Sequence, residues 1–271
     1  MNLYIERPFH QPTFEIISSD KTLIESLQLQ YNPFTYENPT SDTDNCKIEV
    51  TKQIDNYIIK YNGTEISTQV PLFEIDKIFF ENTFYDDSIL ALHGSAVEYS
   101  GKAYVFLAAT SSGKTTLASY LTSSGFGYIT DDCILIERET LRVYPYTCSI
   151  QLRDGGLEVL KKLKKIPQNL RFFDAVFTQR YVYLPQNSVT DCLPLGGIYF
   201  IKRSETHNIV INISSNEKMA ELIKSPITHY EITPDYLKLL ARLSQTECQV
   251  LIYKDMDFVA ETIKRVGESF G

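Results

Sequence analysis

The clearest hydrophobic pattern in the chain is an apolar run, a stretch of small residues and a helical repeat in immediate succession. Residues 103–107 (AYVFL) are continuously apolar, which is typical of a buried strand. Residues 108–113 are small, and Leu117, Tyr120 and Leu121 then follow at helical spacing. Gly125 is placed to end that helix in a left-handed conformation, and residues 126–130 predict another short strand. The sequence therefore predicts a strand, a tight loop, a helix over 114–124 and a second strand.

The same periodicities extend through residues 86–271 and predict an α/β domain. Before the strand predicted at 103–107, residues 88–94 predict a buried strand that ends at a histidine. Residues 95–99 predict a second strand that returns after it. After it, residues 133–137 and 141–144 predict a hairpin. Later strands are predicted at 180–185, 197–201 and 250–253, and helices at 155–165, 216–224, 234–243 and 257–266. Asp154 is the predicted N-cap of the first of these helices, with Leu157, Leu160 and Leu163 inward, and Thr233 is the predicted N-cap of the third.

Residues 1–85 predict a separate, β-rich N-terminal α+β lobe. Strand patterns cover residues 12–17 and 57–61, and Asn62 with Gly63 is a strong hairpin signal before residues 64–66. Residues 31–45 are polar and rich in Pro, Asn and Asp, which predicts a loop. Apolar residues within 70–82 recur at helical spacing and predict a helix packed between the two lobes. No candidate chemistry is visible in this lobe.

Composition excludes several classes of function. The chain of 271 residues carries a net charge of −8, which argues against broad nucleic-acid binding. Its five cysteines are scattered without a C-x-x-C pair, so a reducing compartment is expected rather than a zinc site or a disulfide framework. No apolar run is long enough to cross a bilayer, and we expect a soluble cytoplasmic protein without membrane partners. The basic cluster at 161–165 is interpreted as a solvated helix face, or else as a docking surface for an acidic peptide or phosphate.

Residues 108–115 (AATSSGKT) resemble the phosphate-binding loop G-x-x-x-x-G-K-[ST] of ATP and GTP sites. The first N–H groups of a helix have no partner inside the helix and attract an anion. Lys114 would add a charge at the β- and γ-phosphates, and the Thr115 hydroxyl would bind Mg²⁺. The pattern departs at Ala108, where a positive φ would be costly for a residue with a Cβ. The predicted nucleotide-binding residues are Ala108, Ala109, Thr110, Ser111, Ser112, Gly113, Lys114, Thr115 and Thr116.

Asp131 and Asp132 follow the strand that comes after the loop helix. If this strand runs parallel to residues 103–107, both strands end at the same edge of the sheet, beside the phosphate-binding loop. One carboxylate could then hold Mg²⁺ while the other accepts a proton from an attacking hydroxyl. His93 is placed to assist that base. The alternative interpretations are a turn that caps backbone groups and a histidine satisfied at a strand end. An N-K-x-D guanine motif is absent from the sequence.

The order of these motifs resembles the catalytic domain of HPr kinase/phosphorylase. Residues 92–94 (LHG), the phosphate loop and residues 127–132 (GYITDD) carry the resemblance, which covers about 86–200. Residues 179–185 and 193–201 look more like shorter members that act in modified-peptide pathways, the lasso-peptide kinases. The resemblance implies a P-loop kinase domain of the HPr kinase/PEP carboxykinase-like type. The glycine-rich signature of the family proper is matched poorly by residues 153–156 (RDGG), which argues against phosphorylase activity and HPr as the substrate.

Carried over to this sequence, the resemblance implies Asp131 as general base, Lys114 as phosphate clamp, His93 as assistant to the base, and Thr115 and Asp132 as metal-binding groups. The expected cofactors are ATP and Mg²⁺, and the expected partner is a peptide or small-protein substrate. Homo-oligomer formation is left open. The predicted activity is transfer of the γ-phosphoryl group to a serine of a precursor peptide. The alternatives left open are a nucleotide-binding regulatory module without transfer chemistry and a small-molecule kinase.

Overall fold

The computed structural model describes residues 1–6, 13–38, 46–83, 88–109, 112–175, 178–225, 227 and 233–269. Within these residues the chain is a mixed α/β protein with seven helices and three sheets. The division of the chain at residue 85 stays a prediction, and residues 84–87 lie outside the described part.

The N-terminal segment forms a six-stranded sheet in the order β3-β1-β2-β4-β5-β6. Its strands are β1 Asn2–Ile5, β2 Phe14–Ser18, β3 Thr35–Tyr36, β4 Cys46–Lys52, β5 Tyr57–Tyr61 and β6 Thr64–Thr68. Helices α1 (Lys21–Tyr31) and α2 (Pro71–Thr83) share one buried core with this sheet. The predicted hairpin at Asn62 and Gly63 is confirmed, because both residues have positive φ, 46° and 75°, between β5 and β6. Helix α1 was not predicted, although Leu23, Ile24 and Leu27 lie buried along it.

The larger sheet has the order β11-β10-β7-β8-β15-β17-β16, with β9 paired to β7. Its strands are β7 Ile89–Tyr99, β8 Lys102–Leu107, β9 Gly127–Thr130, β10 Cys133–Glu137, β11 Arg142–Tyr144, β15 Leu193–Arg203, β16 Ile209–Asn212 and β17 Cys248–Tyr253. A small sheet β12-β14-β13 comprises β12 Ile150–Leu152, β13 Arg171–Ala175 and β14 Thr178–Tyr183. The helices are α3 Lys114–Thr122, α4 Asp154–Lys162, α5 Ser215–Ile223, α6 Pro234–Ser244 and α7 Met256–Glu268.

Two apolar cores enclose the large sheet. Side chains of α3, α4 and α7 belong to one core, and side chains of α5 and α6 belong to the other. Strands β8, β15 and β17 run parallel as neighbours, and their buried residues supply both cores. Helices on both faces of a sheet with parallel central strands are typical of an α/β fold. The predicted α/β class is therefore confirmed.

Strand β7 differs from the prediction. Residues 88–94 and 95–99 were expected to form two strands, but Ile89–Tyr99 is one continuous strand. Its first half pairs antiparallel with β10, and its second half lies between β8 and β9. Gly94 is therefore not a turn residue. A Cβ at this position would lie 2.5 Å from the Phe106 carbonyl oxygen, so glycine permits the close approach of β8.

Helix α4 also corrects the prediction. It begins one residue earlier than expected, so Arg153 is the N-cap residue and Asp154 lies in the first turn. The helix ends at Lys162, and Lys164 has a positive φ of 56°. Leu163 therefore leaves the inward face and is 42% exposed, whereas Leu157 and Leu160 are buried as expected. The predicted cap of α6 is confirmed, since the Thr233 side chain accepts a hydrogen bond from the Tyr236 N–H.

Candidate functional site

The predicted phosphate loop lies between β8 and α3, as the sequence indicated. Gly113 precedes α3 with φ of +92°, a conformation in which glycine avoids the strain of a side chain, and no side chain caps this helix end. Ala108 lies within the described residues and does not have a positive φ, so the alanine at the first loop position is not strained. The Ser112 hydroxyl is buried and has no hydrogen-bond partner among the described residues. Thr110 and Ser111 lie outside the described part of the chain.

Lys114 lies folded along this loop. Its side chain is buried, and Nζ donates hydrogen bonds to the carbonyl oxygens of Ala108 at 2.9 Å and Ala109 at 3.1 Å. Burial lowers the pKa of Lys114, while the nearby carboxyl groups of Asp132 and Asp131 act in the opposite direction. A positive group is thus held beside the loop at the start of α3.

The acid pair lies at the edge of the sheet where β8 ends. Both β8 and β9 are antiparallel to β7, so they run in the same direction with β7 between them, and both end near His93. The His93 Nδ1 atom lies 3.2 Å from Asp132 Oδ1, and the backbone N–H of Gly94 donates to the Asp132 carbonyl oxygen at 3.2 Å. His93 therefore contacts Asp132, whereas the sequence analysis assigned it to assist Asp131.

Asp131 and Asp132 have different environments. Asp132 is 71% exposed, whereas Asp131 Oδ1 is buried without a hydrogen-bond partner among the described residues. Desolvation and then the charge of Asp132 raise the pKa of Asp131 well above its usual range, against smaller opposing effects of Thr115 and Lys114. A buried carboxyl oxygen that lacks a partner is costly, and such atoms are often found where a ligand or water binds.

Two helix N-termini converge on a central cavity of about 390 Å³. Its walls are formed by the first residues of α3, by Asp131 and Asp132, and by Arg153, Gly155 and Gly156 at the start of α4. Neither helix has a side-chain cap. A Cβ at Gly156 would lie 2.8 Å from Thr116 Oγ1, so this glycine lets the first turns of α3 and α4 approach each other. Unpaired N–H groups, aligned helix dipoles and Lys114 make this cavity suitable for an anion.

Two further cavities adjoin the central cavity and share lining residues with it. The side cavity, of about 800 Å³, is lined by His93, Ala108, Ala109 and Ser112 together with residues of β15 and α5. The interlobe cavity, of about 280 Å³, is lined by Gln30, Tyr31 and Asp76 of the N-terminal segment together with the acid pair, Arg153 and Arg180. The central cavity and its two neighbours are together called the cleft.

Within the described residues there is no cluster of three or more His, Cys, Asp or Glu side chains that could hold a metal ion alone. The available oxygen donors are the hydroxyl of Thr115 and the carboxylates of Asp131 and Asp132, which border the same cavity. Mg²⁺ commonly binds one or two carboxylates and completes its coordination with waters and substrate phosphates. The donor set therefore fits Mg²⁺ bound together with a nucleotide.

The described site residues predicted from the sequence border this cleft, where His93, Ser112, Lys114, Thr115, Thr116, Asp131 and Asp132 line the central cavity. Sequence reasoning missed Arg153 and Arg180 as site residues, and it missed the whole N-terminal contribution. Two consecutive glycines at the start of a helix could have indicated a close approach at 155–156, because glycine is unfavourable in helices. No sequence signal identifies Asp76, whose position depends on how α2 packs.

The chain was compared with known proteins by sequence and by structure. No family model matches it, and no curated protein matches it. A solved structure of the Hpr(Ser) kinase/phosphatase from Coxiella burnetii matches 66% of this chain and 95% of its own chain, with 9% sequence identity and a TM-score of 0.33. A similarity at this level bears neither on fold nor on function, so the functional proposal depends on the geometry of the site. No helix among the described residues is long and apolar enough to cross a membrane.

Proposed function

We propose that this protein is an ATP-dependent kinase that transfers the γ-phosphoryl group to a serine, or a similar hydroxyl, of a peptide such as a ribosomally made precursor peptide. One observation carries the proposal. The carboxyl group of Asp131, whose Oδ1 is buried and has no hydrogen-bond partner among the described residues, borders the same cavity as Lys114 and the two uncapped helix N-termini. A proton acceptor beside an anion site is what phosphoryl transfer to an alcohol requires.

The triphosphate would lie in the central cavity. Backbone N–H groups at the start of α3 and the ammonium of Lys114 would contact its oxygens, and the left-handed Gly113 lets the backbone turn toward them. The nucleoside would occupy the side cavity, whose volume of about 800 Å³ is ample for it. Lys114 would exchange its hydrogen bonds to the carbonyl oxygens of Ala108 and Ala109 for bonds to phosphate.

Thr115 and Asp132 are the residues proposed to hold Mg²⁺. When bound, the ion would neutralise charge on the phosphate oxygens of the nucleotide. The contact between His93 and Asp132 would fix the orientation of that carboxylate.

Asp131 is the proposed general base. A raised pKa makes a carboxylate a better proton acceptor near neutral pH, so Asp131 suits this role better than an unperturbed carboxylate would. It would take the proton of the acceptor hydroxyl as the oxygen attacks the γ-phosphorus. The interlobe cavity brings an acceptor to the same side chain, because Asp131 lines both cavities.

A peptide acceptor is favoured over a small metabolite by the shape of the site. The interlobe and central cavities are neighbours that share Thr115, Asp131, Asp132, Gln151 and Arg153, so the acceptor side adjoins the nucleotide side of the cleft. A cleft accommodates an extended chain, whereas a metabolite site encloses most of its ligand.

The proposal is tested by a matched pair of variants, Asp131→Asn and Asp132→Asn, assayed with ATP, Mg²⁺ and candidate precursor peptides by the mass gain of one phosphate. We expect Asp131→Asn to lower the transfer rate about 10²- to 10⁴-fold, the usual contribution of a general base, with ATP affinity and Mg²⁺ requirement nearly unchanged. Asp132→Asn should instead raise the Mg²⁺ concentration needed for half-maximal activity.

Equal loss of ATP binding in Asp131→Asn would contradict the role as base and indicate a structural or metal-binding residue. ATP binding without phosphopeptide, together with slow hydrolysis insensitive to Asp131→Asn, would contradict the kinase assignment and indicate a nucleotide-binding module.

A further inference from the structure

The interlobe cavity has a charge arrangement that the proposed transfer reaction does not require. Its lining includes two arginines, Arg153 at the start of α4 and Arg180 on β14. No ion pair found among the described residues involves either of them. Arg180 donates one hydrogen bond, from Nη1 to the carbonyl oxygen of Gln179 at 2.9 Å, which leaves most of its five N–H donors available.

The two guanidinium groups are close enough to influence each other. Burial and then the charge of Arg153 lower the pKa of Arg180, and Asp154 opposes this effect. Asp131 and Asp132 also line this cavity, but no ion pair among the described residues joins either carboxylate to Arg153 or Arg180, so both guanidinium groups remain available to a ligand. Guanidinium groups bind carboxylates through paired hydrogen bonds, so a carboxylate is a suitable ligand.

The N-terminal segment adds Gln30, Tyr31 and the carboxylate of Asp76 to the lining of this cavity. Gln30 Nε2 donates to both carboxyl oxygens of Asp76, at 2.9 and 3.0 Å, and the Tyr31 hydroxyl also donates to Asp76. Asp76 is thus held in place by α1, and it lines the same cavity as the two arginines. The carboxylate of Asp76 would favour the N–H groups of an acceptor backbone. Together with Asp131 and Asp132 it would disfavour an acidic group of the acceptor except beside Arg153 and Arg180.

We propose that the interlobe cavity is the acceptor site, and that Arg180 together with Arg153 selects a peptide whose phosphorylated hydroxyl is flanked by a carboxylate. This inference rests on the proposed kinase function. It also gives residues 1–85 a role, because Gln30, Tyr31 and Asp76 complete the site.

The two arginines are expected to differ in their effects. Arg153 lines both the central and the interlobe cavity, whereas Arg180 lines only the interlobe cavity of these two. Substitution of Arg180 should therefore alter acceptor selection without altering nucleotide affinity. Arg180 is the residue to test.

The experiment uses a positional-scanning peptide library with a fixed central serine and blocked termini, phosphorylated with ATP and Mg²⁺. The wild-type protein should favour Asp or Glu at one flanking position by about tenfold, a typical advantage for a charge-assisted hydrogen bond. A second set, with the serine next to a free or an amidated C-terminus, distinguishes an acidic side chain from a terminal carboxylate. Arg180→Gln should abolish the selection, and Arg180→Glu should reverse it in favour of Lys or Arg, both with unchanged KM for ATP.

Lys161→Gln is the matched control, because Lys161 is an exposed cation on α4 that lines none of the three cavities. It should retain the wild-type selection. Transfer without preference for a carboxylate in either peptide set would overturn the inference. An acidic preference that persists in Arg180→Glu would also overturn it. Both outcomes would leave the kinase proposal intact. If the Arg180 variants do not fold, the selectivity of the wild-type protein still decides the matter. Transfer to no member of either set would instead contradict the proposed function.

Discussion

Helices α1 and α3 each follow a strand, and they differ in what satisfies their first N–H groups. At α1, the Asp20 side chain accepts hydrogen bonds from the N–H groups of Thr22 and Leu23 at 3.0 and 3.4 Å. At α3, Gly113 provides no side chain, and the helix N-terminus opens onto the central cavity. A donor satisfied inside the protein contributes to stability, whereas an unsatisfied donor is available to a ligand. The N-terminus of α1 therefore stabilises the fold, whereas the N-terminus of α3 is available to bind an anion.

The largest effect is expected at the uncapped end, from Lys114→Met. Loss of one charge-assisted contact to phosphate should raise the Kd for ATP about 10- to 100-fold. The free energy of unfolding should change by less than about 1 kcal/mol, because the loss of hydrogen bonds to two carbonyl oxygens is offset by removal of a buried cation. Calorimetric titration with ATP and urea unfolding measure the two quantities. Lys161→Met is the control, and reduced stability with unchanged ATP affinity would show that Lys114 only braces the loop.

The capped end should show the opposite pattern. Asp20→Ala removes the cap of α1 together with contacts to Lys52 Nζ at 3.0 Å and the Tyr57 hydroxyl at 2.8 Å. We expect the free energy of unfolding to fall by about 1–2 kcal/mol, the usual cost of losing an N-cap, with ATP affinity unchanged. Urea unfolding measures this loss, and Glu25→Ala on the exposed face of the same helix is the control. A weakened affinity for ATP would show that the two ends are not independent.

The stabilisation by the Asp20 cap of α1 should depend on pH. Desolvation acts to raise the pKa of Asp20, but hydrogen bonds from Lys52, Tyr57 and the Leu23 N–H outweigh it and lower this pKa below 3.8. Because the folded-state pKa is the lower one, the stabilisation is fully present above the unfolded-state value and is lost as pH falls through the folded-state value. Asp20→Asn should therefore lose less stability than the wild-type protein as the pH falls below about 4, the unfolded-state pKa of an aspartate. Identical slopes for the two proteins would contradict this assignment.

The smallest effect distinguishes two glycines beside the central cavity. A Cβ would meet only open space at Gly155, and at Gly113 its nearest neighbour would be the Tyr253 hydroxyl at 4.0 Å, but only Gly113 has a positive φ. Gly113→Ala should therefore destabilise the protein by about 1 kcal/mol through backbone strain alone. Gly155→Ala should be neutral or stabilising by about 0.5 kcal/mol, because alanine favours a helix. Thermal unfolding of the two variants measures these changes in stability. Equal changes would mean that the turn at Gly113 relaxes to accommodate alanine.

The elements that could be predicted from the sequence are those with a local pattern. The strand, loop and helix around residues 103–122 were predicted because their pattern is local: an apolar run, small residues and a 3.6-residue repeat. Helix α1 carries an equally local signal, Asp20 followed by Leu23, Ile24 and Leu27, yet it was not predicted.

Other features could not be predicted from local patterns. Residues 88–94 and 95–99 were predicted as two strands, yet they form one, and Gly94 lies inside it where β8 approaches its backbone closely. Asp76 and Arg180 lie far apart in the chain and line one cavity only through the packing of α2 and β14. Sequence periodicity identifies elements, but it carries no information about which distant side chains share a cavity.

The continuity of β7 restricts how the length of this chain can vary. Successive residues of a strand face opposite sides of the sheet, so deleting one residue within 94–99 would turn His93 to the other face relative to the pairing with β8. The contact between His93 and Asp132 would be lost while the loop at Gly113 kept its own position. Insertions and deletions in related chains are therefore expected at the ends of β7, and the spacing between His93 and Lys114 should vary only through the turn at Ser100 and Gly101.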